Sequence, residues 1–194
     1  MRYLIPFALF GLVLLCGCPS NGEQTSAPAK TSSDSPYPRL SGDGWSLEVP
    51  EGWRVDTSGE FGTLCMLEAP AESEADQFSE VINLATVALS DEPGGGRLTL
   101  EQFVRRNLET MSVMFPDWEL LTNEKTSLGA EDAIFISYTA APRDTAGEAL
   151  YAQWGQWFCY HEEAAWLLTF SGEQHRFEGL MPDVESLASS FRFE

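Results

Sequence analysis

Six side chains could carry covalent or metal chemistry: Cys16, Cys18, Cys65, Cys159, His161 and His175. Cys159 and His161 stand two apart in a stretch that reads as a strand, so they share a face. A thiolate–imidazole metal site would need at least one further ligand, with Cys65 the available donor. So incomplete a set reads more simply as a buried cysteine beside a hairpin-turn histidine. A Cys159–His161 nucleophile is weaker still, because such pairs need a third group to orient the base. The chain has no Gly-x-Ser-x-Gly elbow and no His-Glu-x-x-His. Glu68, Glu72, Glu74, Asp76, Glu80 and the pair Asp91-Glu92 fall in loops without the spaced oxygen ligands of a calcium site, and read as solvated charge. The run Pro93-Gly94-Gly95-Gly96 lacks the Gly-Lys-Ser/Thr of a phosphate loop. The expectation is a non-enzyme, with no cofactor and no bound metal.

Cys18 is placed for a different chemistry. Arg2 supplies a positive start, and Leu4 to Leu15 is an apolar run broken only by Pro6 and Gly11. That run is shorter than the about 17–25 residues of a membrane span, and it suits the h-region of an export signal. A plain cleaved signal and a short retained anchor are the simpler alternatives. The run ends in Leu15-Cys16-Gly17-Cys18, with Leu at −3, Gly at −1 and Cys at +1. These residues resemble the lipobox of bacterial lipoproteins, which implies cleavage after Gly17 and acylation of Cys18. Cys16 fits less well, because bulky Leu15 would precede it. Each buried CH₂ contributes about 0.8 kcal/mol, so more than one acyl chain gives a durable anchor.

The formal charge is −19, and cleavage before Cys18 removes Arg2 and takes it to −20. Such a surface repels phosphate backbones, which disfavours nucleic acid as a partner. Residues 1–17 read as a signal, and 18–41, rich in Ser, Thr, Pro, Ala and Gly, as a lipidated cysteine with a flexible tether. A tether of about 22 residues reaches roughly 25 Å. Residues 42–194 suit one domain. Export would let Cys65 and Cys159 form a disulfide, or they could remain two buried thiols.

Within the domain, Trp45, Leu47 and Val49 alternate with Ser46 and Glu48 as a half-buried strand. Thr63–Glu68 reads as a second strand, and Val81–Leu89 as a central one covered on both faces. Leu98–Phe115 is the strongest helix signal, with a Thr99/Gln102 capping box, a Leu98/Phe103 staple and Pro116 as its stop. Trp118–Ser127 and Asp132–Ala140 follow as strands joined at Leu128-Gly129-Ala130. Leu150–Tyr160 and Ala165–Ser171 form a hairpin, turning at His161-Glu162-Glu163-Ala164. Phe177, Leu180, Met181, Val184, Leu187 and Ala188 mark a closing helix with Pro182 in its first turn. Ser190–Phe193 ends the chain as a short strand or docked tail. This order predicts an α+β fold, an antiparallel sheet covered by helices.

Aromatic residues crowd the hairpin. Alternation puts Trp154, Phe158 and Tyr160 on one face and Tyr151 and Trp157 on the other. One set belongs in the core. The other, with Trp166, would mark an interface if exposed, which makes Tyr151, Trp154, Trp157 and Trp166 the candidate contact residues.

The domain also resembles the PsbP-like superfamily, including lipoproteins of the DcrB type. The matching features are Trp45-Ser46-Leu47-Glu48-Val49-Pro50 with Gly52-Trp53, the central strand around Asn83–Val87, the single mid-chain helix, the Gly129 turn, and the ending Leu187-Ala188-Ser189-Ser190-Phe191-Arg192-Phe193. The resemblance covers Trp45 to Phe193. It implies an α/β/α sandwich and non-catalytic accessory work, binding other proteins in the envelope, and it carries over no catalytic residue. The leading expectation is therefore a monomeric, lipid-anchored envelope protein whose domain binds a membrane-associated partner. A small-molecule or metal-binding periplasmic lipoprotein is the alternative, and an enzyme the third.

Overall fold

The computed structural model describes residues 37–73, 78–89, 98–115, 117–142 and 150–194. The leader, Cys18, the tether up to residue 36, Glu74, Asp76, Asp91, Glu92, the glycine run, Pro116 and most of the loop after Pro142 lie outside them. Two sheets and two helices make up the described fold. Strands β1 (Arg39–Gly42), β2 (Trp45–Glu48) and β10 (Arg192–Phe193) form a small antiparallel sheet in the order β1-β2-β10. A larger sheet runs β3 (Arg54–Asp56), β4 (Cys65–Glu68), β5 (Val81–Ala88), β9 (Ala164–Glu173), β8 (Ala152–His161), β7 (Glu131–Ala140) and β6 (Glu119–Leu128). Every neighbouring pair is antiparallel. The α+β class with an antiparallel sheet under helices is the one the sequence predicts.

Helix α1 (Leu100–Met114) covers one face of the large sheet and α2 (Gln174–Ser190) the other. The α1 cap forms as its residues dictate. Gln102 donates its backbone N–H to Thr99 Oγ1 at 3.3 Å, and Thr99 donates its N–H to Gln102 Oε1 at 2.9 Å. Leu98 packs against the cluster that holds Phe103, completing the staple. Phe103, Val104 and Met111 then enter the core at helical spacing. On the opposite face Phe177, Val184, Leu187 and Ala188 of α2 meet Trp157, Leu168 and Phe170.

Four expectations need correction. Pro182 lies inside α2, because the helix begins at Gln174. Both Pro182 and Glu178, whose carbonyl loses its helical donor, are exposed residues, on the side of the helix where a missing bond costs least. Residues 39–41, which the composition places in the 18–41 tether, form strand β1 with Gly42 and pair with β2. Its signal is polar because Arg39 spends its guanidinium on Ser190 O at 2.8 Å and on Ser46 Oγ at 3.1 Å. Ser46 is consequently buried, not on an outer face. Finally, Glu68 and Glu80 are not solvated loop charges but buried groups of the β4–β5 corner.

The β6–β7 turn explains one glycine. Gly129 has φ +59°, and a Cβ there would lie 2.1 Å from Phe191 O. Its N–H donates to Ala188 O at 3.0 Å, docking the turn onto the end of α2. Only glycine meets both demands.

Candidate functional site

The side chains singled out for chemistry are not brought together. Cys65 pairs across β4–β5 with Leu84, which pairs with Leu168 of β9, which pairs with Trp157 of β8. Cys159 is two residues beyond Trp157. Three strand spacings of about 4.8 Å therefore separate the two cysteines, beyond the ~4.4–6.8 Å between Cα atoms that a disulfide spans. Both are free and fully buried. Burial pushes the Cys65 thiol up to about 12. Burial, with the Glu131 carboxylate second, pushes Cys159 up to about 12 as well. Neither is a nucleophile at neutral pH, since the thiolate is the reactive form.

His161 lies beside Cys159 on the α2 side but has other partners. Its ring stacks on Phe193 with centroids 3.8 Å apart and planes 8° from parallel. Its Nδ1 sits 3.2 Å from Glu131 Oε1. The histidine thus pins the last strand, β10, to the β8–β9 hairpin. No group of three His, Cys, Asp or Glu side chains among the described residues could hold a metal ion.

Nor is there an aromatic surface of the expected composition. The alternation is as read: Trp154 and Phe158 enter the α1-side core, Trp157 the α2-side core. But both faces are covered, so Trp154, Trp157 and Trp166 are all buried. β8 and β9 lie in the middle of the sheet with a helix over each side, and their aromatics build the core. Only Tyr151, one residue before β8, is exposed, at 69%.

Two features escaped the sequence reading. The first is a polar row on the α1 face. Asn83 of β5, Thr169 of β9 and Gln156 of β8 stand opposite one another in register. All three are buried. Gln156 Nε2 donates to Thr169 Oγ1 at 3.1 Å, while Gln156 Oε1 accepts no hydrogen bond. Cross-strand register made this row, and three isolated amide and hydroxyl residues in separate strands give no local signal. The second is the unequal pair of sheet edges. β3 is three residues long and is capped by Arg54, whose guanidinium pairs with Glu68. β6 is ten residues long, and all of it except Leu128 is exposed or half-buried. A bulge at Leu121 interrupts its pairing with β7, and Leu120 and Leu121 are exposed at 38% and 48%.

No protein-family model matches the chain, and no curated protein matches it. Solved structures do. The solution structure of cyanobacterial PsbP from Synechocystis aligns with a TM-score of 0.53 at 17% identity, over 91% of this chain and 98% of that one. A Pseudomonas aeruginosa protein of unknown function, PA94, described as a putative regulator, aligns at 0.53 and 16%, over 75% and 88%. LpqN of Mycobacterium tuberculosis, involved in cell envelope biogenesis, aligns at 0.51 and 12%, over 81% and 84%. These identities speak to architecture alone, and the architecture agrees with the expected α+β class: the chain has a PsbP-like fold.

Proposed function

We propose that the protein is a lipid-anchored accessory module of the bacterial cell envelope, held at the membrane through Cys18 and binding another protein of a membrane-associated complex. The single observation that carries the binding role is the long open edge of β6, set against a core closed on both faces. The chemistry-bearing side chains are spent on structure: two protonated thiols, a histidine stacked on Phe193, and carboxylates paired with arginines. A domain so arranged acts by presenting surface. The envelope setting is supported by the export signal and by the likeness to LpqN, a protein of envelope biogenesis. No helix among the described residues is long and apolar enough to cross a membrane.

Affinity capture of the full-length protein from mild detergent, beside Cys18→Ser, tests this. Labelled palmitate should enter the native chain and not the variant, and a partner should be recovered far better with the anchor intact. Label retained by Cys18→Ser would remove the assignment to Cys18, and empty captures from both proteins would remove the accessory role.

A second reading, a small-molecule binding lipoprotein, is favoured by one observation, the buried Gln156 carbonyl oxygen in the Asn83–Thr169–Gln156 row. A thermal-shift screen of neutral hydroxyl and amide compounds would raise the midpoint if a ligand occupies it. An unmoved midpoint throughout would set this reading aside.

A further inference from the structure

We propose that β6 is a docking edge for an extended, basic segment of the partner protein, which joins the large sheet as an eighth strand with two cationic side chains four residues apart. This deepens the accessory-module reading and rests on it.

The register with β7 assigns the β6 side chains that have a partner there to a face. Glu119, Thr122, Glu124 and Thr126 stand opposite Thr139, Ser137, Phe135 and Ala133, on the α2 side. Leu120, Asn123 and Lys125 stand opposite Tyr138, Ile136 and Ile134, on the α1 side. The charges of the two sides differ in what they already touch. Lys125 is bridged to Glu101 of α1 at 3.2 Å, which offsets its charge. Glu119 and Glu124 are exposed and have no ion-pair partner among the described residues. The α2 side of the edge is thus a strip of two uncompensated carboxylates with threonines around them.

The bulge fixes the spacing. Glu119 and Glu124 are five apart in sequence, but their partners Thr139 and Phe135 are four apart. At about 3.4 Å per residue that places the carboxylates roughly 13 Å from each other along the edge. An incoming strand presents side chains to one face at every second residue, so cations at i and i+4 meet both carboxylates. Opposite charges facing across neighbouring strands contribute roughly 0.2–1 kcal/mol each. The backbone supplies the rest, through the outward N–H and C=O groups of a strand with no neighbour on that side among the described residues. The overall charge of −19 steers a cationic segment towards the surface before it docks.

Two labelled nine-residue peptides alternating valine and threonine serve as probes, one with lysines four residues apart and the other with glutamates in their place. They are titrated by fluorescence anisotropy into the full-length protein in detergent. The lysine peptide should bind and the glutamate peptide should not. Glu119→Lys/Glu124→Lys should reverse the preference, weakening the lysine peptide at least tenfold at an unchanged melting midpoint. Because a strongly acidic protein attracts any cation, backbone exchange supplies the second readout. Alternate amides of 119–127 should gain protection when the lysine peptide binds. Binding without that protection, equal binding to the double variant, or no binding at all would each overturn the proposal. The accessory role is judged separately by the capture from detergent. A partner recovered equally by the charge-reversed protein sinks the β6 assignment alone, whereas empty captures beside intact peptide binding sink the accessory role alone.

Discussion

The two faces of the large sheet are both buried, but they are held shut by different means. On the α2 face, Phe170 stacks on Phe177 with centroids 4.8 Å apart, and Trp53, Trp157 and Phe191 extend the aromatic layer. A second sheet closes over the helix, and Gly129 and Arg39 both bond its C-terminal carbonyls. Its first turn is lashed by Arg176, whose guanidinium pairs with the buried Glu80 and lies 3.0 Å from Glu72. On the α1 face the helix carries an apolar stripe, a capping box and an exposed ion pair from Glu101 to Lys125. Beneath it the sheet carries a buried polar row. The difference teaches where opening starts: α1 and its face should exchange amide protons before α2, because α2 is tied by a buried ion pair and by bonds to its C-terminal carbonyls, whereas the Glu101–Lys125 pair of α1 is exposed.

Substitutions in each face sharpen that contrast. The largest effect is expected on the α2 face. Phe170→Ala removes a ring that touches both Trp53 and Phe177, and should cost about 3–5 kcal/mol in chemical denaturation. A loss under ~1 kcal/mol would mean that this face is loosely packed, against its fully buried side chains.

Next comes Arg176→Met. Glu80 is 1% exposed, and removing its guanidinium leaves a buried carboxylate without the cation that offsets its desolvation, at a cost of about 3 kcal/mol. Restoring the loss with Glu80→Gln in the same chain would confirm that the charge, not the lost packing, is responsible. If the double variant is as unstable as the single one, the lash is a packing contact only.

The buried thiols give a pH dependence on the same face. Each has a folded pKa near 12, raised by burial, whereas an exposed thiol titrates at about 8.5. The native state therefore binds more protons than the unfolded one between those values. Their contribution is fully present below the unfolded pKa and is lost as pH rises towards 12. Stability should fall from about pH 9 upward, and Cys65→Ala with Cys159→Ala should flatten that limb while lowering the plateau. An alkaline limb of the same slope in the double variant would assign it to other groups. Thiol reagents should also leave Cys65 and Cys159 of the native protein unmodified.

Much of the fold was legible because its signals are local. The capping box at Thr99 and Gln102, the alternation of Ile134, Ile136 and Tyr138, and the Gly129 turn each lie within a few residues and decide one element. What was missed depends on partners far away in sequence. Arg39 reads as part of a tether until Ser190, at the other end of the chain, supplies its carbonyl. Glu80 reads as a loop charge until Arg176 faces it. The candidate site was the least legible part for the same reason. The hairpin aromatics could be sorted to faces by period, but whether a face is covered depends on where both helices land. The open edge of β6 exists only because, among the described residues, no strand lies beyond β6 in the sheet order, a fact of topology and not of composition. Its uneven carboxylate spacing comes from a bulge that no residue type announces.

The smallest effects belong to the α1 face, and they test the comparison most directly. Thr99→Ala removes the cap at a cost of about 1 kcal/mol. That loss should appear mainly as faster amide exchange across 100–114, with α2 unchanged. Gln156→Leu acts in the opposite sense. Made together with Thr169→Val, it removes a buried carbonyl oxygen that no donor reaches and both partners of the Gln156–Thr169 bond, and replacing both partners by apolar groups can be nearly neutral. The expected change in stability is within about 1 kcal/mol, far below that of Phe170→Ala. A large destabilisation would mean instead that the carbonyl is engaged in solution by a donor, a bound water or a small ligand. The polar row would then be a structural centre of the α1 face, and the two faces would be tied with comparable strength by different chemistry.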